Sequence, residues 1–142
     1  MKKIILLHPT VLPVLITVGV IGIVGLAVSS CVTVSTAPLV PGELRLLSMR
    51  VPETIIRGNP YAAFIIFEAE GEPQIKEACF SWSGEGPYCF NVMNAQYGSP
   101  GAFTVRLLTN NPGSYGLDCY VKYFREGKIK MTNQIGIQIY VR

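Results

Sequence analysis

Histidine is nearly absent from this 142-residue chain, and its one histidine, His8, lies in an apolar N-terminal stretch. The remainder has no imidazole for a Ser-His-Asp or Cys-His catalytic group, or for a histidine-containing metal site. Charged residues are also scarce, at 15% of the chain, and none lies between Lys3 and Glu43. We therefore expect a protein without enzymatic activity, bound metal or other cofactor.

The charge-free N-terminal stretch has the pattern of a secretory signal. Lys2 and Lys3 precede an almost entirely apolar run over 11–28, and small residues follow it. A basic start, an apolar stretch and a small-residue exit predict an export signal over 1–30. Because the run is close to the ~17–25 residues that span a membrane, an uncleaved anchor is the alternative.

Basic and acidic residues nearly balance once the export signal is set aside. The signal holds two of the twelve Lys and Arg, so ten remain against nine Asp and Glu. A net charge of +1 does not favour a surface that follows a phosphate backbone or one that binds an anionic membrane. We therefore expect no nucleic-acid partner.

The end of the signal, Val28-Ser29-Ser30-Cys31, resembles the bacterial lipobox, in which an aliphatic residue and two small residues precede a cysteine. The resemblance implies transfer of diacylglycerol to the Cys31 thiol and cleavage before it. It thus implies a lipid-anchored protein of the bacterial cell envelope. Val32 follows the cysteine in place of an acidic residue, which resembles an outer-membrane destination where a bacterium has two membranes.

The remainder of the chain reads as a tether followed by one domain. Residues 31–42 carry no charge and two prolines, and this composition predicts an extended spacer. Short runs of Val, Ile, Phe and Tyr, separated by Gly, Pro and Asn, then predict a single antiparallel β-sandwich of about seven strands over 43–142. The predicted strands are Glu43–Val51, Tyr61–Ala69, Ile75–Trp82, Tyr88–Val92, Ala102–Thr109, Tyr115–Phe124 and Ile129–Val141.

The order and lengths of these strands resemble a bacterial immunoglobulin-like or fibronectin type III-like domain. Trp82 at the end of the third strand and the run from Gly113 to Tyr123 carry the resemblance. The second strand has no cysteine, so the disulfide that links the two sheets of antibody domains is missing.

Strand alternation assigns the faces of the C-terminal hairpin. Leu117 and Cys119 face inward in the sixth strand, as do Ile135 and Ile137 in the last. A three-residue loop over 126–128 pairs Leu117 with Ile137 and Cys119 with Ile135, whereas a two-residue turn mixes the faces. We therefore predict the three-residue loop.

Three cysteines remain if Cys31 is lipidated, and export permits a disulfide. A hairpin centred on Gly84 places Cys79 directly opposite Cys89, on the face away from Trp82. We predict a Cys79–Cys89 disulfide and a buried Cys119 thiol. The alternatives are a Cys79–Cys119 disulfide and three free thiols.

Outward-facing aromatic residues are the candidate contacts for a protein partner, because aromatic side chains with polar tips are enriched in interfaces. Phe64 and Ile66 also alternate onto an outer face, and the end loop Met93–Gly101 with Tyr97 is a competing site. We predict a membrane-anchored binding, adhesion or envelope-assembly module. The alternatives are an inhibitor of an exported hydrolase that uses this loop, and a structural subunit. The candidates on the sixth and last strands are Tyr120, Lys122, Phe124 and Tyr140.

Overall fold

The computed structural model describes residues 35–142, which form eight β-strands and no helix. The predicted antiparallel β-sandwich is confirmed, with eight strands because the last predicted strand is divided in two. The predicted export signal and Cys31 lie outside the described residues. No helix within 35–142 is long and apolar enough to cross a membrane. The strands are β1 (Leu44–Arg50), β2 (Tyr61–Ala69), β3 (Ile75–Trp82), β4 (Glu85–Asn91), β5 (Gly101–Leu107), β6 (Gly113–Arg125), β7 (Lys128–Met131) and β8 (Ile135–Val141).

Two antiparallel sheets form the immunoglobulin-like sandwich. The small sheet has the order β1-β2-β5, and the large sheet has β4, β3 and β6 in order, with both β7 and β8 on the far side of β6. The alternation of β2 shows why the layers form, since every second residue from Tyr61 to Phe67 is buried. Burial of apolar surface between the sheets is the main stabilising term. The core includes Leu46, Ile65, Phe67, Phe80, Phe103, Leu117 and Val121.

The loop predicted over 126–128 is a two-residue turn. Arg125 pairs with Lys128, and Glu126 and Gly127 both have positive φ, at 52° and 70°. Two consecutive positive φ values are characteristic of the type I′ turn, whose twist matches that of the flanking strands. The prediction of a three-residue loop is therefore wrong.

The predicted register of the last strand is nevertheless confirmed, because the extra residue lies further along the chain. Leu117 pairs with Ile137 and Cys119 with Ile135. Between β7 and β8 the three residues 132–134 face two residues of β6, and this bulge shifts the register by one. The bulge divides the predicted strand into β7 and β8.

The side chain of Asn133 in this bulge joins the two sheets. Its Oδ1 accepts a hydrogen bond from the backbone N of Leu46 at 2.9 Å, and its Nδ2 donates to the backbone O of Leu46 at 3.0 Å. Leu46 belongs to the edge strand β1 of the small sheet. The amide therefore satisfies two backbone groups that have no neighbouring strand.

Two contacts stabilise the end of the sandwich that lies opposite Asn133. Ile55 forms a parallel bridge with Val141 at the edge of β8. Tyr115, at the start of β6, directs its hydroxyl to the carbonyl oxygens of Asn111 and Pro112, at 3.1 and 3.2 Å. This is the arrangement of a tyrosine corner, in which a tyrosine hydroxyl binds the backbone a few residues upstream.

Candidate functional site

Three of the predicted contact residues lie together on the outer face of the large sheet. Tyr120, Lys122 and Phe124 alternate along β6, with their inward neighbours Val121 and Tyr123 buried. Successive outward residues of a strand are spaced by roughly 7 Å. They therefore form one continuous surface.

Two residues of β7 extend this surface. Ile129 pairs with Phe124, and Met131 pairs with Lys122. Phe124, Ile129 and Met131 are 36%, 49% and 66% exposed. We call these five residues the β6–β7 patch, which combines apolar side chains with a tyrosine and a lysine.

Lys122 of the patch contacts β3 and β4, and Lys76 of β3 contacts the patch. Lys122 Nζ lies 3.2 Å from a carboxylate oxygen of Glu77 and 3.7 Å from the Sγ of Cys89. Lys76 Nζ lies 5.9 Å from the centre of the Phe124 ring, which is within cation–π distance. Glu77 therefore partly balances the charge of Lys122 at the middle of the patch.

Tyr140 does not belong to the patch. It pairs with Ser114, ten residues along β6 from Phe124, which at about 3.3 Å per residue is a separation of roughly 30 Å. Tyr140 is exposed on the same sheet, at the opposite end of the sandwich. The structure therefore brings together Tyr120, Lys122 and Phe124 and leaves Tyr140 apart.

Tyr97 anchors the end loop to the domain. Its ring packs edge-on against Phe67, with centroids 5.6 Å apart, and its hydroxyl donates to the carbonyl oxygen of Pro73. Burial raises the pKa of the Tyr97 hydroxyl above its usual value. Gln96 also exchanges backbone hydrogen bonds with Ala102, so the loop is fixed on both sides.

The predicted disulfide is confirmed, and the two alternatives are wrong. Cys79 and Cys89 are directly paired on β3 and β4, with an S–S bond of 2.07 Å. Cys119 is a buried free thiol, as predicted. Its burial raises its pKa from 9.0 to about 12, so it stays protonated and unreactive at neutral pH.

One group of possible metal ligands lies beside the patch. Donor atoms of Glu77, Cys79 and Cys89 lie within 4.8 Å of one another. Metals bind cysteine as the thiolate, and both sulfurs are joined in the disulfide. The ammonium of Lys122 also occupies this position. The oxidised group therefore does not fit a metal centre.

The start of the domain forms a second surface. Arg45 donates through Nη1 to the carbonyl oxygen of Ser35 and through Nη2 to that of Ala37, at 2.9 Å for the latter, and pairs with Glu68 at 2.9 Å. Gly42 donates its backbone N–H to Glu70. A groove of about 450 Å³ lies between residues 35–39 and the small sheet. The part of the predicted spacer that the structure describes is therefore held on the domain.

Comparison with known proteins gives similarity in fold alone. No family model matches the chain, and no curated protein matches it in sequence. A solved structure, the PKD domain of an M14-like peptidase from Thermoplasmatales archaeon SCGC AB-540-F20, is similar at a TM-score of 0.44 and 11% identity. The match covers 66% of this chain and 90% of that one. Similarity at this level carries no conclusion about function.

Sequence reasoning missed Ile129 and Met131 because of the bulge at 132–134. In one uninterrupted strand they share the inward side of Ile135 by alternation. The extra residue in the bulge reverses the alternation, and all of β7 is exposed. The sequence does contain one indication that β7 is exposed, namely Lys128 and Lys130, since lysines are common on exposed edge strands.

Proposed function

We propose that the protein is a bacterial lipoprotein, anchored through Cys31 in the cell envelope, and in the outer membrane where there are two membranes. In this proposal it displays one immunoglobulin-like domain as a non-catalytic binding module. The lipobox-like Val28–Cys31 after an apolar run supports the anchor. The Cys79–Cys89 disulfide supports export, because disulfides persist in oxidising compartments outside the cytoplasm.

We further propose that the β6–β7 patch contacts a protein partner. The observation that carries this proposal is the exposure of three adjacent apolar side chains, Phe124, Ile129 and Met131, beside Tyr120 and Lys122. Contiguous apolar surface next to polar groups is typical of protein contact sites. A partially charge-balanced lysine at the centre permits docking without burial of an unpaired ammonium.

The anchor is tested by intact-mass analysis of the mature protein extracted from membranes. We expect a protein that begins at Cys31 and carries a diacylglyceryl adduct, and we expect Cys31→Ser to abolish both. Retention of the N-terminal methionine with no lipid adduct would show that the apolar run is an uncleaved anchor.

The contact surface is tested by affinity capture from native envelopes with the full-length protein. A Tyr120→Ala/Phe124→Ala variant should lose the co-purifying protein, since two central aromatic contacts are removed. Tyr140→Ala is the matched control, because Tyr140 is an exposed aromatic residue of the same sheet, roughly 20 Å from Tyr120 and roughly 30 Å from Phe124. Equal recovery of the same partner with both variants would contradict the proposed contact surface.

The second candidate function is inhibition of an exported hydrolase by the loop Met93–Gly101. The specific observation is that Met93 is 94% exposed next to a segment fixed by Tyr97 and by the Gln96–Ala102 bridge. A rigid loop binds with less loss of conformational entropy. Met93→Ala and a shortened loop should then reduce inhibition of envelope hydrolases, while Tyr120→Ala should not.

A further inference from the structure

The tether leaves the domain at a fixed point. The side chain of Arg45 is 11% exposed, and its guanidinium binds two carbonyl oxygens of the segment that leads towards Cys31. Arginine is suited to this role because its donors form a rigid planar fork. The exit at Ser35 is therefore held on the outer side of the small sheet, where Arg45 pairs with Glu68.

This exit keeps the domain close to the anchor. Ser35 is the fourth residue after Cys31, and a fully extended chain spans at most about 3.6 Å per residue, or about 14 Å over these four steps. Had the whole of 31–42 been a free spacer, its extended reach would have been about 40 Å. A lipid on Cys31 thus leaves the small sheet near the bilayer surface.

The outer face of the small sheet has the composition of a lipid-contacting surface. Phe64, at its centre, is 42% exposed and pairs with Arg50 on one side and Thr104 on the other. Arg106 lies beside Ala62 at the same end. We call this surface the small-sheet face; its members are Ser48, Arg50, Ala62, Phe64, Ile66, Ala102, Thr104 and Arg106.

The charge of the small-sheet face complements phospholipid headgroups. Arg50 and Arg106 are exposed and form no ion pair with any residue of 35–142. The one acidic side chain on this side of the three strands is Glu68, which Arg45 neutralises. Guanidinium groups bind phosphate through paired hydrogen bonds, while a neighbouring aromatic ring occupies the interface.

We infer that the small-sheet face lies on the bilayer, with Arg50 and Arg106 bound to lipid phosphates and Phe64 at the headgroup boundary. This inference rests on the lipid anchor proposed above. It leaves the β6–β7 patch, on the opposite sheet, directed away from the lipid and open to a protein partner. Membrane and partner therefore use opposite faces of the sandwich.

Tryptophan quenching in reconstituted membranes tests this orientation. Full-length lipidated Phe64→Trp and Ile129→Trp proteins are placed in phosphatidylethanolamine–phosphatidylglycerol vesicles whose acyl chains are brominated near the glycerol. The parent protein supplies the signal of Trp82, which is subtracted. The two positions have similar exposure, 42% and 49%, on opposite faces. We expect bromolipid to quench the tryptophan at 64 and to leave that at 129 unchanged.

Charge variants test the role of the arginines. Arg50→Gln/Arg106→Gln in the Phe64→Trp background should lose most of the quenching. Arg57→Gln/Arg142→Gln removes the same charge from exposed positions outside the small-sheet face and should retain it. Arg45→Ala, which releases the tether, should also reduce the quenching. Melting curves of all variants confirm that each is folded.

Each contrary outcome overturns the inference in a recognisable way. Quenching at 129 in place of 64 would place the large sheet on the lipid, and quenching at neither position would place the domain away from the bilayer or against another protein. Equal quenching of the tryptophan at 64 in the Arg50→Gln/Arg106→Gln and Arg57→Gln/Arg142→Gln variants would exclude headgroup binding by Arg50 and Arg106. Failure of the anchor itself is seen separately, as the absence of a lipid adduct on Cys31 in the same samples.

Discussion

Replacing Gly101 with alanine should destabilise the domain through a clash in the core. A β-carbon at Gly101 would lie 2.5 Å from Cζ and 2.6 Å from Cε2 of Phe67. The Phe67 ring is fully buried between Tyr97 and Phe103, with ring centroids 5.6 and 6.0 Å away, so it has no space to withdraw. Overpacking of this kind costs about 1–3 kcal/mol. At about 4 °C per kcal/mol, the melting temperature should fall by roughly 4–12 °C.

Thermal and denaturant unfolding of the full chain in detergent measure this loss. Gly116→Ala is the matched control, since its nearest contact is the flexible end of Gln138 at 3.4 Å, and it should change stability by less than about 0.5 kcal/mol. Phe67→Leu should cost less in the Gly101→Ala background than alone, because removal of the Phe67 ring relieves the clash that the added β-carbon creates. Equal melting temperatures for the two glycine variants would refute the reasoning.

Three further predictions concern stability. Serine at Cys79 and Cys89 should lower the free energy of unfolding by about 2–3 kcal/mol, because the disulfide closes a short loop; denaturant unfolding with and without a reductant should show the same difference. The Cys119 pKa of about 12 in the folded state, against 9.0, means that its contribution to stability is complete below pH 9 and is lost as pH rises towards 12. Cys119→Ala should flatten this alkaline decline, and an unchanged profile would contradict the assignment. Asn133→Ala removes both hydrogen bonds to buried Leu46 and should cost about 1–3 kcal/mol in denaturant unfolding; a cost near zero would show that water replaces the amide.

The C-terminal hairpin shows how far alternation in a sequence can predict a fold. Inward positions such as Leu117 and Ile137 follow from the pattern, and the structure confirms their pairing. A three-residue loop and a two-residue turn with a later bulge give that same pairing, so the pattern does not separate them. Within the bulge, Asn133 is hydrogen-bonded to Leu46, 87 residues away in the chain. The sequence around the bulge does not indicate such a distant partner, so this contact could not be predicted from it.

The candidate site was predicted in part for the same reason. Tyr120, Lys122 and Phe124 are alternate residues of one strand, so their shared face follows from the sequence. The distance of Tyr140 from them depends on the register of β8, and the exposure of Ile129 depends on the bulge. The pairing of Cys79 with Cys89 was predictable because a short hairpin joins their strands.

The held tether could not be read from composition. A segment with two prolines and no charge is typical of a free spacer, and residues 35–42 have that character. Their position is determined by Arg45 and by the carbonyl oxygen of Glu70, both outside the segment. Composition indicates only the conformation that a segment prefers in isolation. Here the hydrogen bonds from the Arg45 guanidinium outweigh that preference.

The Asn133 amide has a consequence for self-association. An edge strand offers unpaired backbone groups to any passing chain, and this is a common route to aggregation. At Leu46 both groups are already engaged by a side chain of the same molecule. A foreign strand would have to displace that amide before it extended the small sheet. The Asn133 side chain thus blocks strand pairing at this edge of the small sheet, which other proteins block with an additional strand or a proline.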